Sequence, residues 1–245
     1  LKARFWLTLA SRFDNSPTDL TTMEEHADDE DCAAYDKLGV TTAKECYENA
    51  SKYARLAEAQ GFTPMSKDDW YKGFNSSNDA WMFAISISSD DMNDDTNWSW
   101  KNFTSFMSAE TEFGVGSYLY GSTRQIDRQL YEKMNSADWR KNTWIAPTDA
   151  GQESGTSKYK TILSKADFKK LSAYTGLKFK PGNDNMADYT VGAAVDIPLM
   201  RVEEMYFIDA EATAHASGLE AGKRILEDFM NNYRCTATTD NPKPF

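Results

Sequence analysis

Five aromatic side chains in the middle of the chain could bind a sugar by stacking: Trp98, Trp100, Tyr118, Tyr120 and Trp144. The flat face of an aromatic ring packs against the apolar C–H face of a sugar, and neighbouring Asn, Asp, Gln and Arg side chains hydrogen-bond its hydroxyls. Loops that offer both kinds of group are typical of carbohydrate-binding surfaces. The same rings could instead fill a loop-rich core, which is how most Trp side chains are used. The sequence leaves both uses open.

Catalytic and metal-binding patterns are weak by comparison. With 38 acidic residues in the chain, some pair of carboxylates always looks suited to hydrolysis, so such pairs carry almost no information. The histidines, His26 and His215, stand in no recognisable motif with a Ser or Cys nucleophile. A calcium-loop alternation lacks its glycine and its closing Glu; its acidic and amide positions are Asp91, Asn93, Asp95 and Asn97. We therefore predict no catalytic residue, no metal site and no cofactor.

Composition excludes two broad classes of protein. The chain has 245 residues, of which 40% are hydrophobic and 27% charged, as in a folded globular protein. Its 27 Lys and Arg residues against 38 Asp and Glu give a net charge of -11, which disfavours nucleic-acid binding. No apolar run reaches the length of about 18 residues that a membrane-spanning helix needs.

The ends of the chain and its cysteines do not determine the cellular compartment of the protein. The sequence begins with Leu1 in a helix-like stretch, so we expect a fragment of a longer protein whose start, including any signal peptide, is missing. Cys32 and Cys46 could pair and close a loop of roughly 15 residues, which would contribute about 3 kcal/mol. Three unpaired thiols, Cys235 included, are the alternative.

Helical signals dominate the first part of the chain. Phe5, Leu9 and Phe13 recur at every fourth position and predict an amphipathic helix over Leu1–Phe13. Thr42 followed by Glu45 is a capping box. It predicts a helix that ends near Gly61 and whose inner positions carry mostly small side chains, namely Cys46, Ala50, Tyr53, Ala54 and Ala57.

The middle of the chain is predicted to be irregular. Trp81–Ser88 ends in a period-two alternation with β-branched residues, which predicts a short strand. The following residues are dense in Asn, Ser, Gly and aromatic side chains. Within them we expect short helices at Trp100–Ser108 and Arg124–Asn135.

A helical hairpin is predicted near the carboxyl end. Helical spacing of apolar residues covers Met200–Ala216 and Leu219–Tyr233, and Ser217-Gly218 breaks the chain between them. Two helices joined by so short a break must pack antiparallel. Pro198 suits a first helical turn, and Ala212 and Ala221 fall near the packing points of a tetratricopeptide-type hairpin.

The hairpin region carries the most specific motif of the sequence. Asp196–Ala212 resembles the D-I-P-L-x-R-x-x-E-x-Y-x-x-x-A-E-A signature of the SusD/RagB family, outer-membrane lipoproteins of Bacteroidetes that capture nutrients. The matching residues are Asp196, Ile197, Pro198, Leu199, Arg201, Glu204, Tyr206, Ala210, Glu211 and Ala212. Weaker similarities are the N-x-x-R ending Asn231–Arg234, the helices at Leu1–Leu9 and Cys46–Phe62, the D-x-R element at Asp138 and Arg140, and the K-F pair at Lys178 and Phe179. One departure is Glu203-Glu204, where the family usually has Ala-Glu.

The resemblance implies a mainly α fold in which tetratricopeptide-like helical hairpins support a loop-rich subdomain with a few short strands. We expect one incomplete domain over 1–245, with a helical scaffold at 1–89, a ligand-binding subdomain at 90–190 and the hairpin at 191–235. The implied function is non-catalytic binding of an oligosaccharide or polysaccharide at the cell surface. The implied partner is a TonB-dependent, SusC-like transporter in the outer membrane. A lipid anchor would belong to the full-length protein and lie outside this fragment.

Two other functions stay open on the sequence. Helical hairpins also occur in modules that bind only proteins, and in that case the aromatic rings would be buried. A glycoside hydrolase is the third hypothesis.

The charged residues of the signature have a structural interpretation. Arg201 and Glu204 lie three residues apart, which permits an ion pair within one helix, and Glu211 would be costly to bury without a partner.

Overall fold

The computed structural model describes residues 1–15, 39–40, 42–92, 125–150, 172–176, 178–179, 182–184, 189–192 and 194–245. These residues form two compact units. The helical unit comprises Leu1–Thr63 and Val202–Phe229, and the mixed unit comprises Pro64–Arg201 and Met230–Phe245. The described secondary structure is mostly helical, and its one sheet has two strands. The predicted mainly α fold is confirmed.

The helical unit contains α1 (Lys2–Asn15), α2 (Ala43–Glu58), α6 (Val202–Ser217) and the first part of α7 (Leu219–Tyr233). Helix α2 packs against both α1 and α6. Small side chains make this close approach possible, since Ala10, Cys46, Ala50, Ala54 and Ala212 are completely buried. None of the helices among the described residues is long and apolar enough to cross a membrane.

The first helix is confirmed, but its buried face differs from the prediction. Phe5 is 44% exposed, whereas Trp6, Leu9, Ala10 and Phe13 are buried. A helix turns once every 3.6 residues, so a stripe at strict spacing of four drifts around its surface. The buried face instead follows spacings of three and four, and Phe5 falls outside it.

The predicted capping box at the start of α2 is confirmed. The Glu45 amide donates to Thr42 Oγ1 at 3.2 Å, and the Thr42 amide donates to Glu45 Oε2 at 3.1 Å. These two bonds satisfy amides that have no partner within the helix. The helix ends at Glu58, and Gly61 follows with φ of 88°, a conformation that favours glycine.

The predicted antiparallel hairpin of α6 and α7 is confirmed. A Cβ atom at Gly222 would lie 2.3 Å from the Ala210 carbonyl oxygen and 2.6 Å from Ala214 Cβ, so the two backbones touch there. Farther along α7, the Phe229 ring packs against Tyr206, with ring centroids 5.1 Å apart. The contact point on α7 is Gly222 and not the neighbouring Ala221, because only a residue without a side chain fits.

The expected helical position of Pro198 is wrong. Pro198 lies in strand β2 (Ile197–Arg201), which pairs antiparallel with β1 (Trp81–Ile85), and its partner there is Ala84. A two-stranded sheet leaves one edge of each strand unpaired, so it tolerates a residue without an N–H. Helix α6 therefore begins at Val202, after the strand. The predicted strand in Trp81–Ser88 is confirmed over Trp81–Ile85.

The signature charges make longer-range contacts than the sequence suggested. Glu204 pairs with Arg4 of α1, 200 residues away. The Arg201 guanidinium lies over the Trp70 and Phe74 rings, at 5.4 and 5.1 Å from their centroids. Glu211 is exposed, so the question of its burial does not arise.

Helix α6 carries two buried carboxylates, Glu203 at 1% exposed and Asp209 at 5% exposed, and the hydrogen bonds of Asp209 connect two helices. Asp209 accepts hydrogen bonds from Ser51 at 2.5 Å, from Arg55 at 2.9 Å and from Thr213 at 3.2 Å. Because Ser51 and Arg55 belong to α2, this cluster joins α2 to α6.

Glu58 gives the helical unit a pH-dependent stability. Burial, and to a smaller extent the negative charge of Asp209, raise the pKa of Glu58 to about 7. The positive charge of Arg55 partly opposes this increase. Since the folded-state pKa exceeds the unfolded value of about 4.3, the folded chain binds the proton more tightly, and stability falls as pH rises from about 4.5 to 7. Glu58→Gln is expected to remove this slope and to raise the free energy of unfolding at pH 8 by about 1–2 kcal/mol, allowing for partial solvation.

Urea unfolding at pH 5 and pH 8 measures this effect. Glu48→Gln, at an exposed position of the same helix, is the matched control and should leave the slope unchanged. An unaltered pH dependence in Glu58→Gln would contradict the assignment to Glu58.

The mixed unit contains the sheet and short helices: α3 (Lys67–Tyr71), α4 (Arg128–Lys133), α5 (Tyr189–Gly192) and 3₁₀ helices at Asp90–Met92, Trp139–Thr143 and Gly182–Asp184. The helix expected at Arg124–Asn135 is shorter than predicted, because Asp127 caps it by accepting from the Gln129 and Leu130 amides. The helix expected at Trp100–Ser108 lies outside the described residues.

Asp196 of the signature and three residues of the weaker similarities hold the mixed unit together. Asp196 Oδ1 accepts from the Ile87 amide at 2.9 Å, which fixes the chain after β1. Asp138 is buried, caps the 3₁₀ helix and pairs with Arg140 at 2.6 Å. Arg234 is 1% exposed, donates to the Met65 carbonyl oxygen and lies against Trp70 and Trp139. These four residues therefore have structural roles.

Candidate functional site

Of the five predicted sugar-stacking residues, Trp144 lies in the part of the chain that the structure describes. Trp98, Trp100, Tyr118 and Tyr120 lie outside the described residues, so their roles stay predictions. Trp144 follows the 3₁₀ helix Trp139–Thr143 and is half-buried. It belongs to the mixed unit.

Backbone pairing fixes the position of Trp144. Trp144 forms an antiparallel bridge with Gly176, and Gln125 forms one with Thr175. The Ile145 amide donates to the Thr175 carbonyl oxygen at 3.0 Å, and the Tyr174 amide donates to the Ile145 carbonyl oxygen at 2.7 Å. Ile145 and Thr175 are completely buried, so the paired segments stand on a packed base.

A glycine is needed opposite the Trp144 ring. A Cβ atom at Gly176 would lie 2.8 Å from Trp144 Cζ3, closer than packed atoms approach. The indole therefore packs directly on the Gly176 backbone, and this contact fixes the orientation of a ring that remains partly exposed. Rigid, partly exposed aromatic rings suit sugar stacking because little side-chain entropy is lost on binding.

Two tyrosines and a lysine lie near Trp144 in the same unit. Tyr174 belongs to one of the paired segments, Tyr131 to α4, and Lys141 to the 3₁₀ helix Trp139–Thr143. The Tyr131 and Tyr174 rings meet edge to face with centroids 5.4 Å apart. Lys141 Nζ lies 4.8 Å from the Tyr131 centroid and donates to the Met134 carbonyl oxygen at 2.9 Å. We call Trp144, Tyr131, Tyr174, Lys141 and Gln125 the platform.

Tyr174 has an uncommon backbone conformation. Its φ is 68°, a region that non-glycine residues seldom occupy, and its carbonyl oxygen accepts from the Ile126 amide at 3.0 Å. Hydrogen bonds on both sides of the residue thus hold the ring in place against the backbone cost. Nearby, Gln125 Nε2 donates to Ser172 Oγ at 2.7 Å, which adds exposed amide and hydroxyl groups.

Sequence reasoning identified Trp144 but not the other four members of the platform. The missing information is the pairing of segments far apart in sequence, which no local pattern encodes. A polar and aromatic turn ending in glycine, Tyr174-Thr175-Gly176, is the one signal that could have drawn attention to the region.

The remaining chemically interesting side chains have structural partners. His215 stacks on Tyr47 at 4.3 Å, and its Nδ1 lies 3.2 Å from Asp14 Oδ2, which also accepts from the Tyr47 hydroxyl. Burial and the Asp14 hydrogen bond raise the pKa of Tyr47 to about 12. Within the described residues, no group of three or more His, Cys, Asp or Glu side chains could hold a metal ion. His26 and the calcium-like residues from Asn93 onward lie outside them.

The described cysteines are free. Cys46 is completely buried, and burial raises the pKa of its thiol to about 11, so it is unreactive in the folded chain. Cys235 is half-buried, and its pKa is also raised, mainly by burial. Cys32, the other member of the pair considered from the sequence, lies outside the described residues.

No protein-family model and no curated protein matches the chain. Among solved structures, a SusD-like carbohydrate binding protein from Bacteroides vulgatus ATCC 8482 is 21% identical with a TM-score of 0.49, over 82% of this chain and 36% of that chain. A SusD superfamily protein from Parabacteroides distasonis ATCC 8503 is 17% identical with a TM-score of 0.48, over 81% and 41%. A SusD superfamily protein from Bacteroides thetaiotaomicron VPI-5482 is 16% identical with a TM-score of 0.47, over 80% and 39%.

The chain thus spans less than half the length of each of these solved proteins. All three are SusD-like or SusD superfamily proteins.

Proposed function

We propose that this chain binds an oligosaccharide or polysaccharide without altering it. The observation that carries the proposal is the Trp144 indole, half-buried and held on the Gly176 backbone by paired segments. Tyr131, Tyr174 and Gln125 supply further stacking and hydrogen-bonding groups in the same region. The resemblance of residues 196–212 to the SusD/RagB signature points to the same function.

We further propose the cellular setting that this resemblance implies. The full-length protein would lie on the outer face of the outer membrane, held by a lipid anchor, and would pass captured glycan to a TonB-dependent, SusC-like transporter. The tetratricopeptide-like nature of the hairpin and the assignment of ligand binding to 90–190 belong to the same proposal. Co-purification of the full-length protein with a transporter of this class from native outer membranes tests the partnership.

Affinity electrophoresis in gels containing a panel of glycans tests the binding function. Retarded migration without release of reducing sugar is the expected result. Release of reducing sugar from the same polymers would favour a glycoside hydrolase. Normal migration in every gel would contradict glycan binding and favour a helical module that contacts only proteins.

Removing the Trp144 ring should weaken binding to a glycan that retards the wild type. We expect Trp144→Ala to lose about 1–2 kcal/mol of binding free energy, a factor of roughly 5–30 in affinity, because the stacking face is lost. Isothermal titration measures this. Phe83→Ala, which removes a ring that is 57% exposed in β1, is the control and should bind like the wild type. Equal losses in both variants would show that Trp144 has no specific role.

A further inference from the structure

Lys141 is a cation whose described surroundings supply no anionic partner. It is half-buried, and one of its N–H groups donates to the Met134 carbonyl oxygen at 2.9 Å. No ion pair joins it to any carboxylate among the described residues, although the chain as a whole carries a net charge of -11. An ammonium group has three donors, so Lys141 has donors left for an incoming acceptor.

The acidic residues of the neighbouring helix α4 are already engaged. Asp127 caps the helix by accepting from two backbone amides, and Glu132 pairs with Arg128 at 2.7 Å. Arg128 also interacts electrostatically with Tyr174, although its pKa is raised chiefly by the hydrogen bond to Glu132. Among the described residues, the carboxylates beside Tyr131 and Tyr174 are therefore engaged with groups other than Lys141.

The aromatic rings give this cation a fixed position. Its ammonium group lies over the Tyr131 ring at 4.8 Å from the centroid, within the range of a cation–π attraction. Tyr131 in turn meets Tyr174, whose left-handed backbone is held by hydrogen bonds on both sides. A held cation beside partly exposed rings suits a ligand that has both an apolar face and a carboxylate.

We propose that Lys141, Tyr131 and Tyr174 form a subsite for a carboxylate-bearing sugar of the uronic acid class. The inference rests on the proposed glycan-binding function and names its substrate class. The sugar carboxylate accepts a hydrogen bond from the Lys141 ammonium group, and the C–H face of the sugar packs on a tyrosine ring. No bond is made or broken.

Paired acidic and neutral ligands test this subsite. Oligomers of galacturonate, glucuronate and mannuronate are titrated against the whole chain beside the same oligomers with their carboxyl groups reduced to alcohols. At low salt we expect the wild type to prefer at least one acidic oligomer by about five- to tenfold, and the preference to shrink as salt rises. Lys141→Gln should abolish that preference, so that the acidic and the reduced oligomer bind with equal affinity.

Lys133→Gln is the matched control, because Lys133 is exposed at the end of α4 and should leave the preference intact. Thermal melting shows whether Lys141→Gln is folded, and Lys141→Arg, which keeps the charge, should keep the preference. The proposal is overturned if no acidic oligomer is preferred, or if Lys141→Gln retains the preference. Binding of neutral glycans in that case would leave the proposed function standing, whereas failure to bind any glycan would contradict both.

Discussion

Replacing Gly222 by alanine is expected to lower the free energy of unfolding by about 2–3 kcal/mol. The new Cβ would lie 2.3 Å from the Ala210 carbonyl oxygen and 2.8 Å from the Ala214 amide nitrogen, and backbone atoms cannot move aside as a flexible side chain can. Overpacking typically costs about 1–3 kcal/mol and occasionally more, and a clash with backbone atoms belongs above that range, at about 3–4 kcal/mol. Subtracting the gain of about 1 kcal/mol that alanine brings to a helix leaves a net loss of about 2–3 kcal/mol.

Urea unfolding measured by circular dichroism gives this value. Lys223→Ala, on an exposed position of the same helix, changes propensity without touching α6 and should stay within about 0.5 kcal/mol of the wild type. A Gly222→Ala variant as stable as the wild type would show that α6 and α7 are not packed at this point.

The second large effect is expected at Asp209. Asp209→Ala should cost about 3 kcal/mol, because it leaves the buried hydroxyls of Ser51 and Thr213 without their shared acceptor and deprives Arg55 of its partner. The estimate lies at the lower end of the range for buried ion pairs, since the Arg55 side chain is 57% exposed and water can solvate it. Calorimetry or urea unfolding at pH 7 measures the loss.

A double-mutant cycle of Asp209→Ala, Arg55→Ala and the variant with both changes separates the ion pair from the hydroxyl hydrogen bonds of Asp209. Arg55→Ala alone should cost under about 1 kcal/mol, because its charge is mostly solvated. In Asp209→Ala the pKa of Glu58 should also move down toward its ordinary value, because one of the charges that raises it is gone. A loss no larger than that of Glu220→Ala, an exposed acidic control, would contradict the role of Asp209 as the link between α2 and α6.

Local signals in the sequence predicted the elements that depend on neighbours along the chain. The capping box of Thr42 and Glu45 needs only residues three apart, and the short break at Gly218 leaves the two helices little choice but to pack antiparallel. The amphipathic helix α1 was found for the same reason, although the ring of Phe5 was assigned to the wrong face.

Contacts between segments far apart in the chain could not be predicted from local sequence patterns. Pro198 lies in a strand because its segment pairs with β1, more than one hundred residues earlier, where Ala84 is opposite it. Glu204 found Arg4 across 200 residues, which helical spacing cannot reveal. Gly222 could be recognised as the contact point only when the Ala210 backbone was seen beside it.

The candidate site shows the same difference between local patterns, which can be predicted, and contacts between distant segments, which cannot. An aromatic residue in loop-rich sequence was enough to propose Trp144. Tyr131, Tyr174 and Lys141 come together because residues near 125, 145 and 175 pair through backbone hydrogen bonds, and no periodicity links them. Asp196 and Arg201 of the signature, and Arg234 of the weaker similarity beyond it, make contacts inside the mixed unit, whereas the platform residues lie outside the signature.

A crystal structure of the chain with a glycan that retards it in affinity gels tests the central claim most directly. The account predicts an intact sugar ring stacked on the Trp144 indole, with hydrogen bonds from its hydroxyls to nearby platform side chains. A sugar bound away from Trp144, Tyr131 and Tyr174, or a cleaved ligand in the density, would contradict it.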